Sequence, residues 1–150
     1  MKTVVWLLAL PILVAASSVF AQIRVENAWS RATPPGVMIG VGYMTIHNGS
    51  PMADRLVGGE SAAAQKVETH VTVRDGDISH MRPVAGYDIP PNGTFELGPG
   101  GAHLMLTGLK APLKAGDRVP VVLRFERAGE LKADLRVEPM DSSEGAHKHR

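Results

Sequence analysis

Apolar and polar residues alternate with a period of two along most of this chain, which is the pattern of β-strands with one buried face. In the last such run Leu131, Leu135 and Val137 fall on one side, and Lys132 and Asp134 fall on the other. Glycine- and proline-rich turns separate the runs, and no segment sustains a helical period. The sequence therefore predicts an all-β domain, an antiparallel sandwich or a Greek-key barrel, with strands at 41–47, 66–73, 78–84, 94–97, 102–106, 119–127 and 131–137.

The first 21 residues have the pattern of a secretory signal peptide. Lys2 provides the positive charge, residues 4–16 form an uncharged and mostly apolar run, and Val19 and Ala21 stand at the −3 and −1 positions of a cleavage site. The alternative is an uncleaved membrane anchor, but this apolar run is short for a span of about 20 residues. We therefore expect an exported protein that is cut after Ala21 and keeps no stable membrane anchor.

Composition narrows the class of the exported domain. With 150 residues, 44% of them hydrophobic, a single domain over residues 22–139 can bury a core without disulfides, and a flexible polar tail follows at 140–150. The chain has no cysteine, which excludes a disulfide scaffold, cysteine-ligated zinc, a thiol nucleophile and a lipoprotein anchor. A net charge of +1 with 5% aromatic residues disfavours nucleic-acid binding.

Any soft metal ligands in a chain without cysteine must come from its seven methionines and six histidines. His103 and Met105 stand two apart in the predicted strand 102–106, so both side chains point to the same face. Ala102, Leu104 and Leu106 point to the opposite face, where they form a core stripe. The histidine–methionine pair follows a glycine-rich turn, which places it near the end of a strand.

A second histidine and methionine flank a predicted hairpin. Asp75-Gly76 is a strong signal for a two-residue turn. A turn made of these two residues sets His70 directly opposite Met81, with Cβ atoms about 4.5–5.5 Å apart. A register slip of an even number of residues would still leave the two side chains as near neighbours.

These four residues, if they share one site, favour Cu(I). Two imidazoles and two thioethers are soft or borderline donors, and the absence of a carboxylate disfavours Mg²⁺ and Ca²⁺. The alternative for each residue alone is ordinary packing, since a methionine in a β-domain usually fills the core and a strand histidine is usually hydrogen-bonded or exposed. The arrival of two histidines and two methionines in pairs favours the metal interpretation.

The remaining histidines and methionines carry weaker signals. His80 precedes Met81, and strand alternation points it to the other face. His47 is interpreted as structural. The tail offers a second, weak Cu(II) site with a His-x-His pattern, the alternative being a solvated tail, and its candidate ligands are Met140, His147 and His149. Three further methionines are interpreted as packing or surface residues: Met38, Met44 and Met52.

The spacing H-x10-M-x21-H-x-M, formed by His70, Met81, His103 and Met105, resembles the periplasmic CuA-site copper chaperone family, PCu(A)C. The likeness extends over about residues 23–137. Supporting stretches are WSRATPPG at 29–36, ADRLVG at 53–58, MRPV at 81–84, GGAHLML at 100–106 and LKAGD at 113–117. This chain departs from many relatives in carrying no methionine soon after the first ligand histidine.

The resemblance implies a cupredoxin-like β-barrel in the periplasm that binds one Cu(I) per chain through these four residues. It implies a carrier and not an enzyme, and no catalytic motif is present in the sequence. The implied acceptor is the CuA domain of cytochrome c oxidase subunit II, with a Sco-type thiol protein as a second partner. We expect a monomer. The alternatives are a protein that sequesters copper without handing it on, and an interaction sandwich in which the four residues are incidental.

Overall fold

The computed structural model describes residues 22–141, and this part of the chain is all-β, which confirms the predicted fold class. None of the described residues forms a helix long and apolar enough to span a membrane. The ten strands are β1 (Ile23–Arg31), β2 (Ile39–Asn48), β3 (Asp54–Glu60), β4 (Lys66–Asp75), β5 (Ile78–Pro83), β6 (Tyr87–Ile89), β7 (Gly93–Leu97), β8 (Ala102–Thr107), β9 (Arg118–Phe125) and β10 (Gly129–Glu138).

Seven strands form the wall of a barrel, in the order β4-β8-β2-β1-β10-β9-β3. The wall closes where β3 pairs with β4 at Gly59 and Val67. Strands β1 and β10 run parallel, and the other pairs are antiparallel. Strand β5 stands outside this ring, because among the described residues it pairs only with β4 and forms the outer edge.

The core lies inside the barrel and takes one face of each wall strand. In β2, Gly40 and Gly42 face inward, where an added Cβ would come within 3.1 Å of Leu113 and Leu135 respectively. Their alternate neighbours Val41 and Tyr43 therefore lie on the outer face. The outer face of the β4-β8-β2 segment is the surface on which the predicted metal ligands fall.

Three strands were not among the seven predicted runs, and each breaks the simple alternation. Strand β1 contains a bulge between Glu26 and Trp29, and Asn27 takes a left-handed φ of 51° there. Strand β3 contains Gly58-Gly59, where an added Cβ on Gly59 would meet the Val122 carbonyl oxygen at 2.6 Å. Strand β6 is only three residues long. Bulges, glycines and short length each remove the period-two signal.

The predicted register of the β4–β5 hairpin is wrong. The turn is Gly76-Asp77, because Asp75 pairs with Ile78. Gly76 has a φ of 60°, which matches a two-residue turn with glycine in its first position. The physical reason is that this turn gives the left-handed conformation to glycine, whereas a turn made of Asp75 and Gly76 would impose it on an aspartate.

This register moves Met81 away from its predicted position directly opposite His70. His70 pairs with Pro83, and Met81 pairs with Thr72. The slip is even, so Met81 and His70 stay on the same face as diagonal neighbours.

Candidate metal site

Strand β8 carries the buried half of the site. Leu104 and Leu106 belong to the hydrophobic core, as the alternation predicted. His103 and Met105 point to the other face and are also buried, with 1% and 7% of their surface exposed. A buried histidine on the outer face of a barrel wall needs polar partners or a ligand to offset its desolvation.

The two histidines face each other across β4 and β8. His70 is the direct register partner of His103, and the ring centroids are 6.0 Å apart. This pairing could not be predicted from the sequence, because it depends on the register of two strands whose paired histidines are 33 positions apart, from His70 to His103. The structure therefore brings together two imidazoles that the sequence placed in separate pairs.

The tautomer of His103 is set by its own strand. Its Nδ1 lies 3.0 Å from the Gly101 carbonyl oxygen. Because a carbonyl only accepts, Nδ1 carries the proton and Nε2 holds the lone pair. That Nε2 is buried and has no hydrogen-bond partner among the described residues. A lone pair in this condition fits a metal ligand.

His70 is in a similar condition. Both of its ring nitrogens are buried and lack a hydrogen-bond partner within residues 22–141. The Glu68 carboxylate is 3.7 Å from Nε2, which is too far for a hydrogen bond. Buried polar atoms are nearly always satisfied in folded proteins. The unpartnered nitrogens of His70 and His103 therefore fit a cation held between the two rings.

The two methionines lie on the same face but in different surroundings. Met105 is two residues from His103 in β8 and pairs with Val41 on one side and Glu68 on the other. Met81 is on the edge strand β5, one diagonal step from His70, and half of its surface is exposed. The arrangement offers three buried donors and one exposed donor.

The donor set argues for a soft metal. Within the described part of the chain, no group of three or more His, Cys, Asp or Glu side chains has an arrangement that could hold a metal ion. The thioethers of Met81 and Met105 lie on the same face of the sheet as His70 and His103. Imidazole with thioether favours Cu(I) over Zn²⁺, Mg²⁺ or Ca²⁺.

One residue near the histidines was missed by the sequence analysis. Tyr87 of β6 is buried, and its hydroxyl hydrogen-bonds to the main chain of both histidines. Burial raises the pKa of Tyr87 to about 12. The sequence offers no signal for this contact, because Tyr87 reaches the site from a three-residue strand.

The other histidines and methionines lie away from this cluster. His47 hydrogen-bonds to Glu26 and Thr94, in agreement with a structural role. Hydrogen bonds from Arg24 and then His47 lower the pKa of Glu26. His80 is exposed on the other face of β5. Met44 is in the core, and three methionines are exposed: Met38, Met52 and Met140.

The predicted tail site falls mostly outside the described residues. His147 and His149 lie beyond residue 141, and so do the last residues of the predicted tail. The predicted signal peptide, residues 1–21, also lies outside the described residues. Both stay predictions.

A surface cleft occupies a different part of the barrel. It has a volume of about 290 Å³ and lies between β1 and β10, where Asn27, Lys132 and Asp134 line it. None of the four predicted ligands lines this cleft. The candidate metal site is therefore a cluster on the face of the sheet and not part of this cavity.

Sequence comparison places the chain in a family. Residues 23–137 match the family described as "Putative lipoprotein LpqE-like". The chain is 38% identical over 104 residues to "Putative lipoprotein Lxx21020" of Leifsonia xyli subsp. xyli, which covers 69% of this chain. This chain spans 61% of the length of that relative. The 150 residues here contain no cysteine, so a cysteine-linked lipid is not available within them.

Solved structures give the same fold. The copper-bound PCuAC domain from PmoF2 is 30% identical, with a TM-score of 0.67 over 79% of this chain and 93% of that domain. The solution structure of CuI-DR1885 from Deinococcus radiodurans is 31% identical, with a TM-score of 0.60 over 83% of this chain and 85% of that protein. This chain belongs to the LpqE-like family, and its barrel has the cupredoxin-like fold of PCuAC domains.

Proposed function

We propose that this protein is a periplasmic copper carrier that binds one Cu(I) and passes it to an acceptor protein. The observation that carries the proposal is the group of buried, unpartnered imidazole nitrogens of His70 and His103 beside two methionines on one face. The copper-bound structures of the PmoF2 domain and of DR1885 support it, since both share this fold. The signal-peptide pattern and the relatives named as lipoproteins support export.

The proposed ligands are His70, Met81, His103 and Met105. The Nε2 atom of His103 is already presented as a lone pair, because Nδ1–H donates to Gly101. All four donors are neutral, so bound Cu(I) keeps a single positive charge, which costs less to bury than a divalent ion. Cu(I) is the cargo of this site.

Release is proposed to begin at Met81. It is the exposed donor, on an edge strand that pairs only with β4 among the described residues. Gly100 and Gly101 lie on the same side of the site. An added Cβ would meet no atom within 4 Å at Gly100 and only the Gly98 carbonyl oxygen, at 3.8 Å, at Gly101, so little protein covers this side. An acceptor's ligand can approach from this side, replace the Met81 sulfur and then draw Cu(I) from the buried donors.

The acceptor is proposed to be the CuA domain of cytochrome c oxidase subunit II. A chain without cysteine cannot itself reduce a disulfide in that acceptor, so a Sco-type thiol protein would have to supply the electrons. The same binding site would also serve sequestration. Transfer is therefore the property that separates the two functions.

The first test is a Cu(I) titration of the purified chain in competition with a calibrated chromophoric chelator. We expect one tight equivalent in the wild type, with strong losses in His70→Ala and His103→Ala. His47→Ala is the matched control, because His47 is bonded to Glu26 and Thr94 outside the site. Absence of competitive binding, or equal binding in all variants, would overturn the copper proposal.

The second test mixes the Cu(I)-loaded protein with the reduced apo CuA domain and follows the CuA absorption after reoxidation. Formation of the CuA chromophore at the expense of the carrier supports delivery. Retention of Cu(I) by the carrier, with the reduced domain shown competent to take free Cu(I), would favour sequestration.

A further inference from the structure

Tyr87 occupies a junction between the strands that carry the proposed ligands. It begins β6, and three residues separate it from Pro83, where β5 ends. Its ring is buried and stacks on Phe95 with centroids 5.0 Å apart. The ring lies on the core side of the wall, so the hydroxyl approaches β4 and β8 from beneath the site.

The hydroxyl contacts the main chain of both histidines. The Tyr87 oxygen is 2.8 Å from the His103 carbonyl oxygen, and it also hydrogen-bonds to the His70 carbonyl. The His103 N–H donates to the same oxygen at 3.2 Å. The single O–H proton serves one carbonyl at a time while the oxygen accepts from His103. One side chain thus links β4 and β8 at the point where the two histidines are register partners.

The segment that leads from Met81 to Tyr87 is also hydrogen-bonded to β4, next to His70. Thr69, next to His70, donates its hydroxyl to the Val84 carbonyl at 2.8 Å, and the Val84 N–H donates to the Thr69 carbonyl at 2.9 Å. The residue that follows β5 is therefore hydrogen-bonded to β4 beside the site, whereas every residue of β5 itself is exposed. At the other end of this segment, the Tyr87 hydroxyl makes a further hydrogen bond to β4, at the His70 carbonyl.

We propose that Tyr87 is a positioning residue, whose hydroxyl fixes the separation of His70 and His103 and thereby sets how tightly Cu(I) is held. The inference rests on the proposed function. Groups that hold metal ligands in place commonly change metal affinity without touching the metal.

The test is Tyr87→Phe, which keeps the ring and its stacking on Phe95 and removes only the hydroxyl. We expect the Cu(I) dissociation constant to rise about three- to tenfold, the range expected for one net hydrogen bond. Transfer of Cu(I) to a chelator should be faster by a similar factor. X-ray absorption of the Cu(I)-loaded variant should show a changed imidazole scattering pattern, which a loss of stability alone would not produce.

Two matched controls separate positioning from general destabilisation. Tyr43→Phe removes the other tyrosine hydroxyl of the chain; Tyr43 lies on the same outer face of the wall as the proposed ligands, but its hydroxyl makes no hydrogen bond among the described residues. Thr33→Val removes a hydroxyl that accepts from the Leu113 N–H at 2.9 Å, far from the histidines in sequence. Both controls should bind Cu(I) as the wild type does, although Thr33→Val should lower the melting temperature.

A Tyr87→Phe protein that binds Cu(I) as tightly as the wild type would overturn the inference and leave the proposed function intact. Equal weakening in Tyr87→Phe and Thr33→Val would also overturn it. A wild type that binds no Cu(I) would overturn the proposed function, and the inference with it. These three outcomes are distinct in the same titration.

A second measurement applies if Tyr87→Phe does not fold. The chain has two tyrosines, so 3-fluorotyrosine incorporated into Tyr43→Phe labels position 87 alone. We expect its ¹⁹F resonance to shift when one equivalent of Cu(I) is added. A resonance that does not move at saturation would contradict the inference.

Discussion

Strands β8 and β5 carry the same kinds of candidate donor but differ in how the fold supports them. Strand β8 lies within the barrel wall between β4 and β2, and its His103 and Met105 are buried. Strand β5 is an edge with every residue exposed, and it holds Met81 at the rim. Buried donors on a strand within the barrel wall would retain a bound metal, and an exposed donor on an edge strand would allow its release. The proposed carrier function requires both properties, so we would expect it to use one well-supported strand and one weakly supported strand.

The largest loss of Cu(I) affinity should come from substituting a buried donor on β8. His103→Ala removes the nitrogen whose tautomer is fixed by Gly101. We expect at least about a hundredfold loss of Cu(I) affinity, beyond the 10–100-fold typical of outer partners of a ligand. A chelator competition assay measures it. A loss of less than about threefold would remove His103 from the site.

The next effect compares the two methionines directly. Met105→Leu should weaken Cu(I) binding about tenfold, which corresponds to 1.4 kcal/mol. Met81→Leu should weaken Cu(I) binding less than Met105→Leu does, because the Met81 thioether is exposed to solvent. It should also speed the release of Cu(I) to a chelator, because it removes the donor that an incoming ligand must displace first. Stopped-flow transfer and equilibrium competition measure the two quantities.

Both substitutions conserve volume, so they separate binding from folding. Met105→Leu should cost less than about 1.5 kcal/mol in the free energy of unfolding. Met81→Leu, on an exposed edge, should change it by less than about 0.5 kcal/mol. Greater loss of affinity from Met81→Leu than from Met105→Leu would reverse the assignment of retaining and releasing donors.

A smaller effect concerns alkaline stability and the tyrosine beneath the histidines. Burial raises the pKa of Tyr87 from 10.0 to about 12. A raised pKa means that the folded state binds the proton more tightly, so the stabilisation is complete below pH 10.0 and is lost as pH rises towards about 12. Urea unfolding across this window should show a steeper decline in the wild type than in Tyr87→Phe. Identical pH profiles would contradict a buried hydroxyl.

The smallest expected effect concerns acid stability and Glu26, which lies outside the metal site. Hydrogen bonds from Arg24 and His47 lower the pKa of Glu26 below 4.5. This interaction stabilises the fold above pH 4.5 and is lost as pH falls through the lower folded-state value. Glu26→Gln should slightly flatten the acid limb of a thermal unfolding profile and leave Cu(I) affinity unchanged. A change in Cu(I) affinity would contradict this expectation and show that Glu26 is coupled to the metal site.

The sequence predicted the local part of the site better than the long-range part. Period-two alternation is a local property, and it correctly separated His103 and Met105 from Leu104 and Leu106. The hairpin register also depends on local turn chemistry, but the competing assignment of Gly76 to the first turn position could not be decided from the residues alone.

The pairing of His70 with His103 could not be predicted, since it depends on how β4 and β8 align within the closed barrel. The role of Tyr87 was hidden for the same reason. Its hydroxyl reaches residues 17 and 16 positions away in sequence, from a strand too short to show a pattern. Strand β1 was missed because its bulge interrupts the alternation. In each case the decisive information lies in tertiary packing.

We propose that two imidazoles and two thioethers on one face of the barrel bind Cu(I). X-ray absorption spectroscopy at the copper edge of the Cu(I)-loaded protein tests it most directly. We expect two nitrogen scatterers with the multiple-scattering pattern of imidazole and two sulfur scatterers, with loss of one sulfur in Met105→Leu. A spectrum without sulfur, or one unchanged by Met105→Leu, would contradict it.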